Sequence, residues 1–263
     1  MRLVRLLVPL LLASVLVAAT TRGHEQHAAG ARLASAAQLP AALTPAPFPQ
    51  PAATPAAARA RQRDTALAGA ARAGADLLVD KRHGLPAGYR PRDLVVPRVA
   101  FLGGVPEERR SLRRPAARAL ERLFAAARRD GVPLAGVSAY RSYVSQRDLF
   151  AGYASERGAE NADRVSARAG HSEHQTGLAI DVSGADGRCA ASRCFGATHA
   201  ARWLAAHAPE HGFVVRYPRG RERLTGYEWE PWHLRWVGVT LAREVASSGR
   251  TLDQLLTVRS PVQ

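Results

Sequence analysis

The segment Ser166–Ser183 carries two histidines, His171 and His174, then Gly177, then an aspartate inside the apolar run Leu-Ala-Ile-Asp181-Val. An ionised carboxylate among apolar residues needs a cation, a metal ion or several hydrogen-bond donors. Asp181 therefore has two readings. It is a solvent-facing residue on a half-exposed strand, or it is a metal ligand. Further along, Glu230-Pro231-Trp232-His233 offers a second acid–histidine pair in a tryptophan-rich stretch. Two imidazoles and one carboxylate make a common ligand set for a catalytic zinc that keeps one position open for water. His174, Asp181 and His233 are the candidate ligands of one Zn2+.

A bound zinc brings the pKa of its water down to about 7. A carboxylate must still take that proton and pass it to the leaving amine. Glu230 is the candidate, with Glu228 second; the alternative role for Glu230 is to orient a histidine. Arg141 offers a fixed cation for an anionic group or a developing oxyanion, or else is an ordinary surface arginine. His171 reads as a loop residue that could support the ligands. His207-Ala-Pro-Glu-His211 has zincin-like histidine spacing, but its glutamate is misplaced and Pro209 interrupts the helix. A helix end is the better reading. Trp229, Trp232 and Trp236 read as core and cleft wall.

These residues need a frame that bends. Seven residues of straight strand would put positions 174 and 181 on opposite faces, so Gly177 must turn the chain between them. Pro231 precludes a regular ladder just before His233 and lets Glu230 and His233 face the same way. An amphipathic helix is predicted over 114–129, where Ala117, Leu120, Leu123 and Phe124 keep a 3.6 period and Gly131 with Pro133 ends it. A strand is predicted over 134–140, a helix over 144–154, and a helix over 198–207 opening on a Thr N-cap. Strands follow at 213–217 and 233–239, then one or two helices over 240–256 broken by Gly249. Short strands and helices without βαβ regularity predict an α+β fold: a small, mainly antiparallel sheet with flanking helices and the zinc site in a cleft on the sheet.

Charge is unevenly spread. Residues 1–133 carry 21 basic against 9 acidic residues, and residues 134–263 carry 16 against 13. Lys81 is the only lysine. No nucleic-acid-binding module is visible in the sequence. Residues 1–19 read as a secretory signal: Arg2 and Arg5, an apolar run from Leu6 to Ala19, and small residues at Val17-Ala18-Ala19. That run is short of the ~20 residues of a membrane span, though an uncleaved anchor is the alternative. Residues 20–76 are rich in Ala, Pro and Arg and read as a linker, disordered or partly helical; His24 and His27 there are tail residues. Residues 77–263 are the predicted folded domain. Cys189 and Cys194 suit a small-loop disulfide in a secreted protein; two thiolates on a second zinc is the weaker reading.

Several ordered motifs resemble one family. They are Ser138-Ala-Tyr-Arg-Ser142 with Gln146, Gly170-His-Ser-Glu-His-Gln-Thr-Gly-Leu-Ala-Ile-Asp181, Trp203-Leu204, Gly212-Phe-Val-Val-Arg-Tyr-Pro218, Thr225-Gly226 and Glu230-Pro-Trp-His-Leu-Arg235. Lys81, Leu85-Pro86, Tyr89, Pro91 and Asp93-Leu94 extend the likeness upstream. Together they resemble the VanY-type D-alanyl-D-alanine carboxypeptidases, of the superfamily that includes the lysostaphin-type endopeptidases and the hedgehog signalling domain. The resemblance spans about residues 79–256. Ala169 and Trp229 stand where proline and tyrosine are more usual; neither change removes a chemical group.

The resemblance implies a zinc peptidase trimming peptidoglycan stem peptides, with ligands His174, Asp181 and His233, catalytic Glu230 and substrate-binding Arg141. Ser142, Gln146 and Ser172 are then candidates for polar contacts to the substrate. The expected activity is release of the terminal D-alanine. The alternatives are an L,D-carboxypeptidase, a cross-link endopeptidase, or a non-catalytic zinc-containing wall-binding module. The expected protein is a monomer, secreted or wall-associated, and the basic N-terminal region could meet an anionic wall polymer.

Overall fold

The computed structural model of the chain describes residues 54–259. The stretch read as a secretory signal, His24, His27 and the prolines from Pro40 to Pro51 lie outside the described residues. The first helix, α1 (Pro55–Arg72), begins with proline at its first turn, and the Thr54 hydroxyl accepts from Ala57 N at 3.3 Å. Ala75, just after it, is buried in the core. The folded part therefore starts ahead of residue 77. No helix among the described residues is long and apolar enough to cross a membrane.

Strands β1 (Leu94–Val95) and β2 (Leu112–Arg113) pair antiparallel. Helix α2 (Arg114–Arg129) follows with the expected bounds and buries Ala116, Leu120, Leu123, Phe124 and Ala127 against the sheet. Next come β3 (Leu134–Ser138), α3 (Tyr143–Arg157) and α4 (Ala159–Val165). A 3₁₀ turn at Glu173–Thr176 leads into β4 (Ala179–Gly184). After it come α5 (His199–His207), β5 (Phe213–Tyr217) and the short α6 (Glu222–Thr225). Strand β6 (Glu230–Trp236), α7 (Val239–Ser248) and α8 (Leu252–Arg259) complete the fold. Gly249, at φ +64°, separates the last two helices.

The main sheet has the order β3-β4-β6-β5, and every neighbour is antiparallel. Helices flank it, as α+β predicts. β3 stops earlier than expected because Ala139 N and Tyr140 N turn aside to bond Arg109 O and Ser111 O. β6 starts three residues before His233 and ends at Trp236, not at 239. Pro231 is tolerated inside it because the β5–β6 register shifts there: Val215 faces Leu234, yet Tyr217 faces Glu230. A proline has no ladder donor to lose at such an irregularity. α3 runs one turn longer than predicted, and Ser142 is its N-cap, accepting from Ser145 N at 3.3 Å.

The bend between positions 174 and 181 sits at Gly177, which takes φ +68°. A Cβ built there would lie 2.8 Å from Leu94 Cδ2 and 3.1 Å from Arg113 Cγ. Its carbonyl also accepts from Arg113 N at 2.8 Å, tying the turn to β2. Gly177→Ala is therefore expected to destabilise the fold by about 1–3 kcal/mol through left-handed backbone strain, plus the contact with Leu94. Chemical denaturation should show a lower midpoint with an unchanged slope; an unchanged midpoint would refute the reading of this turn.

Candidate metal centre

The sheet register builds the centre. Asp181 on β4 stands opposite Ser138 on β3 and opposite His233 on β6. Residues directly opposite in antiparallel strands point to the same face. His174 arrives from the 3₁₀ turn before β4. The ligand atoms of His174, Asp181 and His233 all lie within 4.8 Å of one another, and all three residues are buried. Asp181 Oδ2 is 3.3 Å from His174 Nε2, and Oδ1 is 3.1 Å from His233 Nδ1. A tetrahedral ion with bonds of ~2.0–2.1 Å holds its donors ~3.3 Å apart, so the spacing suits one.

The ring nitrogens are also assigned by their partners. His174 Nδ1 is 2.6 Å from Ala139 O, so that nitrogen carries the proton and Nε2 turns its lone pair to the centre. His233 Nε2 is 3.4 Å from Glu173 Oε2, which leaves Nδ1 facing Asp181. This is the arrangement that outer partners impose on metal-binding histidines. Burial pushes His174 down to about 4, with Asp181 opposing, so it is neutral and able to ligate. Burial also works against a charged His233, but the bonds to Asp181 and Glu173 outweigh it and raise its pKa to about 9. Asp181 is held far below the ordinary carboxylate range: burial resists its charge, and His174 and His233 overcome that. The donor set fits a zinc ion.

Glu230 and Arg141 join the same cleft, of about 470 Å³, which His174, Asp181, His233, Ser172, Trp229 and Trp232 also line. Glu230 Oε2 lies 3.8 Å from His233 Nδ1. Burial lifts its carboxyl to about 7, with His233 opposing and Asp181 adding. Arg141 is 8% exposed and lies 4.0 Å from Asp181 Oδ2. Its Nη1 donates to Gln146 Oε1 at 2.8 Å and its Nη2 to Ser138 Oγ at 3.1 Å. An arginine so buried is not the ordinary surface residue of the alternative reading.

Other expected residues land differently. Gln146 is 1% exposed; its Nε2 donates to Ala167 O at 2.6 Å while its Oε1 holds Arg141. Both its polar atoms have protein partners, and it positions Arg141. Ser142 caps α3 and is not a cleft residue; its hydroxyl is shared with Ser145. Ser172 does line the cleft. Glu228 is held by Arg193 and, at 3.3 Å, by Arg164, which removes it as a free base. His171 Nδ1 bonds Asp80 O at 2.8 Å and pins a loop. His207 ends α5, stacked on Trp203 at 4.7 Å. Trp236 is core. Cys189 and Cys194 form a disulfide in the loop after β4.

Sequence reasoning missed a buried charge network behind the centre. Glu173, 1% exposed, takes Arg216 Nε at 2.7 Å and Arg235 Nη1 at 3.2 Å, besides facing His233. Asp253 on α8 accepts both Arg216 terminal nitrogens at 2.7 Å. The signal was present: Arg216 and Arg235 each interrupt an apolar strand, as Asp181 does.

The comparisons follow this geometry. Residues 109–239 match the family model described as VanY: D-alanyl-D-alanine carboxypeptidase. YodJ of Bacillus subtilis (strain 168) is 41% identical over 67% of this chain and 65% of its own length, so less than two-thirds of that relative is represented. The solved structure of the LdcB LD-carboxypeptidase matches at 40% identity and TM-score 0.65, over 68% of this chain and 84% of that one. A vancomycin-resistance D,D-pentapeptidase VanY mutant in complex with Zn(II) matches at 28% identity and TM-score 0.55, over 69% and 98%. Fold and matches agree on one family, whose relatives YodJ and LdcB are described as carboxypeptidases. It belongs to the VanY family.

Removing the Glu173 carboxylate leaves two buried guanidiniums without their shared partner. Glu173→Ala is expected to lower unfolding free energy by about 3–5 kcal/mol. Denaturant titration checks this; a loss below about 1 kcal/mol would mean that water or a rearranged Asp253 replaces the carboxylate.

Proposed function

We propose that this protein is a zinc-dependent D-alanyl-D-alanine carboxypeptidase that releases the terminal D-alanine of peptidoglycan stem peptides. The observation that carries the reading is the convergence of a His-Asp-His donor set, a free carboxylate and a buried arginine in one cleft. The Zn(II)-containing VanY structure supports zinc as the ion. His174, Asp181 and His233 would hold it. Bound there, zinc supplies Lewis acidity that polarises a peptide carbonyl and acidifies a water.

The chain's own residues supply the rest. Glu230 accepts the proton of the attacking water and returns it to the leaving amine. Its carboxylate is free to do so because Arg193 and Arg164 engage Glu228 instead. Arg141, oriented by Gln146 and Ser138, donates to the developing oxyanion. Glu173 holds His233 Nε2, which keeps Nδ1 turned toward Asp181. Trp229, Trp232 and Tyr217 form part of the cleft wall. The free acid at Glu230 argues against a purely wall-binding module.

A second reading is L,D-carboxypeptidase action on tetrapeptides. The 40% identity to LdcB, against 28% to the D,D-pentapeptidase, favours it. Cleavage of defined pentapeptide and tetrapeptide separates the two, since the residue before the terminal D-alanine differs in chirality. The apolar leader read in residues 1–19 supports a secreted or wall-associated location, where this substrate lies, and the basic excess upstream supports retention on anionic wall polymer.

Purified protein is expected to carry about one zinc per chain, and chelation should abolish D-alanine release. Glu230→Ala should keep the metal and lose turnover by about 10²–10⁴-fold. Zinc at one per chain with undiminished release in Glu230→Ala would reassign the base. Folded protein that takes up no zinc would overturn the proposal.

A further inference from the structure

Helix α2 carries arginines at 114, 118, 122 and 129, and all four are exposed. At ~100° per residue they fall within an arc of roughly 80°, with Ala125 between them. They form one line ~22 Å long, with its first members ~6 Å apart. Among the described residues, no ion pair or side-chain hydrogen bond engages any of the four. The one acid on α2, Glu121, is turned to the Arg98 backbone, accepting from its N at 2.8 Å.

Helix stability does not ask for this pattern. Like charges four residues apart repel. A cation at the start of a helix faces the positive end of its dipole, yet Arg114 opens α2 with no acid in the first turn. Several other exposed arginines are answered by acids: Arg63 by Glu244 at 3.4 Å, Arg147 by Asp148 at 2.8 Å and Arg168 by Asp163 at 3.0 Å.

The line also faces a definite way. Ile180 and Val182 flank Asp181 on β4, so they point to the opposite face of the sheet. They are buried in the same cluster as Leu120, Leu123 and Phe124 of α2. The helix thus covers the back of the sheet, and its arginines look out on the side remote from the metal centre. Anything held along the line leaves the cleft open.

The layout sets what fits. Guanidiniums in a row do not converge on one small anion; they match a linear polyanion whose charges repeat along its length. The arc holds no aromatic side chain on which a base could stack. That favours a polyol phosphate over a nucleic acid.

We infer that the exposed arginine face of α2 is a docking surface for a linear phosphodiester polymer of the cell wall, which holds the domain by its back with the cleft turned toward peptide. The wall as the place of encounter rests on the function proposed above; the binding itself does not. The contact lies on the folded domain.

The test titrates the full chain with poly(glycerol phosphate) at several salt concentrations. One variant carries Arg114→Gln, Arg118→Gln, Arg122→Gln and Arg129→Gln together. A charge-matched variant carries Arg59→Gln, Arg61→Gln, Arg72→Gln and Arg243→Gln, at exposed positions elsewhere. The α2 variant should bind about 10–100-fold more weakly at low salt, with a log–log salt slope smaller by about 3. The charge-matched variant should stay within about threefold of wild type. Equal losses in the two variants would reduce the effect to net charge and overturn the assignment, as would undiminished affinity in the α2 variant. Single-stranded DNA that binds as tightly as the polymer, and loses as much in the α2 variant, would overturn the choice of partner. Neither variant touches the cleft, so both should release D-alanine from soluble pentapeptide at the wild-type rate. An inactive wild type would count against the proposed function alone, and the binding comparison would still judge the surface. If the fourfold α2 variant does not fold, Arg118→Gln with Arg122→Gln carries the same comparison at about half the change in slope.

Discussion

Everything near the centre depends on one buried carboxylate. Glu173 has no exposed side-chain surface, yet it is held far below the ordinary carboxylate range because Arg216 and Arg235 more than offset the cost of burying it. It does three jobs at once. It neutralises two guanidiniums that the apolar strands could not otherwise admit, it holds His233 Nε2, and it ties the turn before β4 to β5 and β6. Asp253 completes the set by taking the far side of Arg216. The four charges cancel: two acids, two arginines. That matters for a donor set built beside them, because an unbalanced charge in a low-dielectric interior would shift every neighbouring titration. The network is a device for placing an imidazole more than for raw stability, since well-packed apolar residues could match its energy.

The second constraint is register. Ser138, Asp181 and His233 stand in one line across β3, β4 and β6. A slip of one residue on any of these strands would send its member to the other face. The irregularity opposite Pro231 serves the same end from the other direction. It lets β6 carry Glu230 and His233, three residues apart, toward one cleft, which a regular strand of alternating faces would forbid.

Much of this was legible in the residues. The α2 helix declares itself through its apolar period, α5 through its Thr cap, and the α7–α8 break through Gly249. The meeting of His174, Asp181 and His233 followed from asking what an aspartate could be doing in an apolar strand. The same question, put to Arg216 and Arg235, would have found the network, although their partner Glu173 sits in a turn with no periodic signature. Short elements were not legible. β1 and β2 have two residues each and are defined by pairing with each other, which no local pattern reveals. Ser142 and Gln146 have local partners that the sequence alone does not disclose. A serine before a helix caps it, and a glutamine one helical turn further on can reach back to the arginine that precedes the helix.

The contrast between Glu228 and Glu230 shows how environment, not residue type, decides chemistry. The two acids are two residues apart, and both line the cleft. Glu228 lies on the rim between Arg193 and Arg164, so its charge is already answered. Arg193 is brought there by the loop that the Cys189–Cys194 disulfide closes, and a closed loop has fewer ways to withdraw it. Among the described residues Glu230 has no arginine in ion-pair reach, and its cation-capable neighbour His233 is already claimed by Asp181 and Glu173. Burial, with Asp181 adding and His233 and Arg141 opposing, lifts it to about 7, near the point where a carboxyl both gives and takes a proton readily. Supplying Glu228 with ion-pair partners and leaving Glu230 without an arginine beside it is how the cleft makes one acid structural and leaves the other open to the role proposed for it.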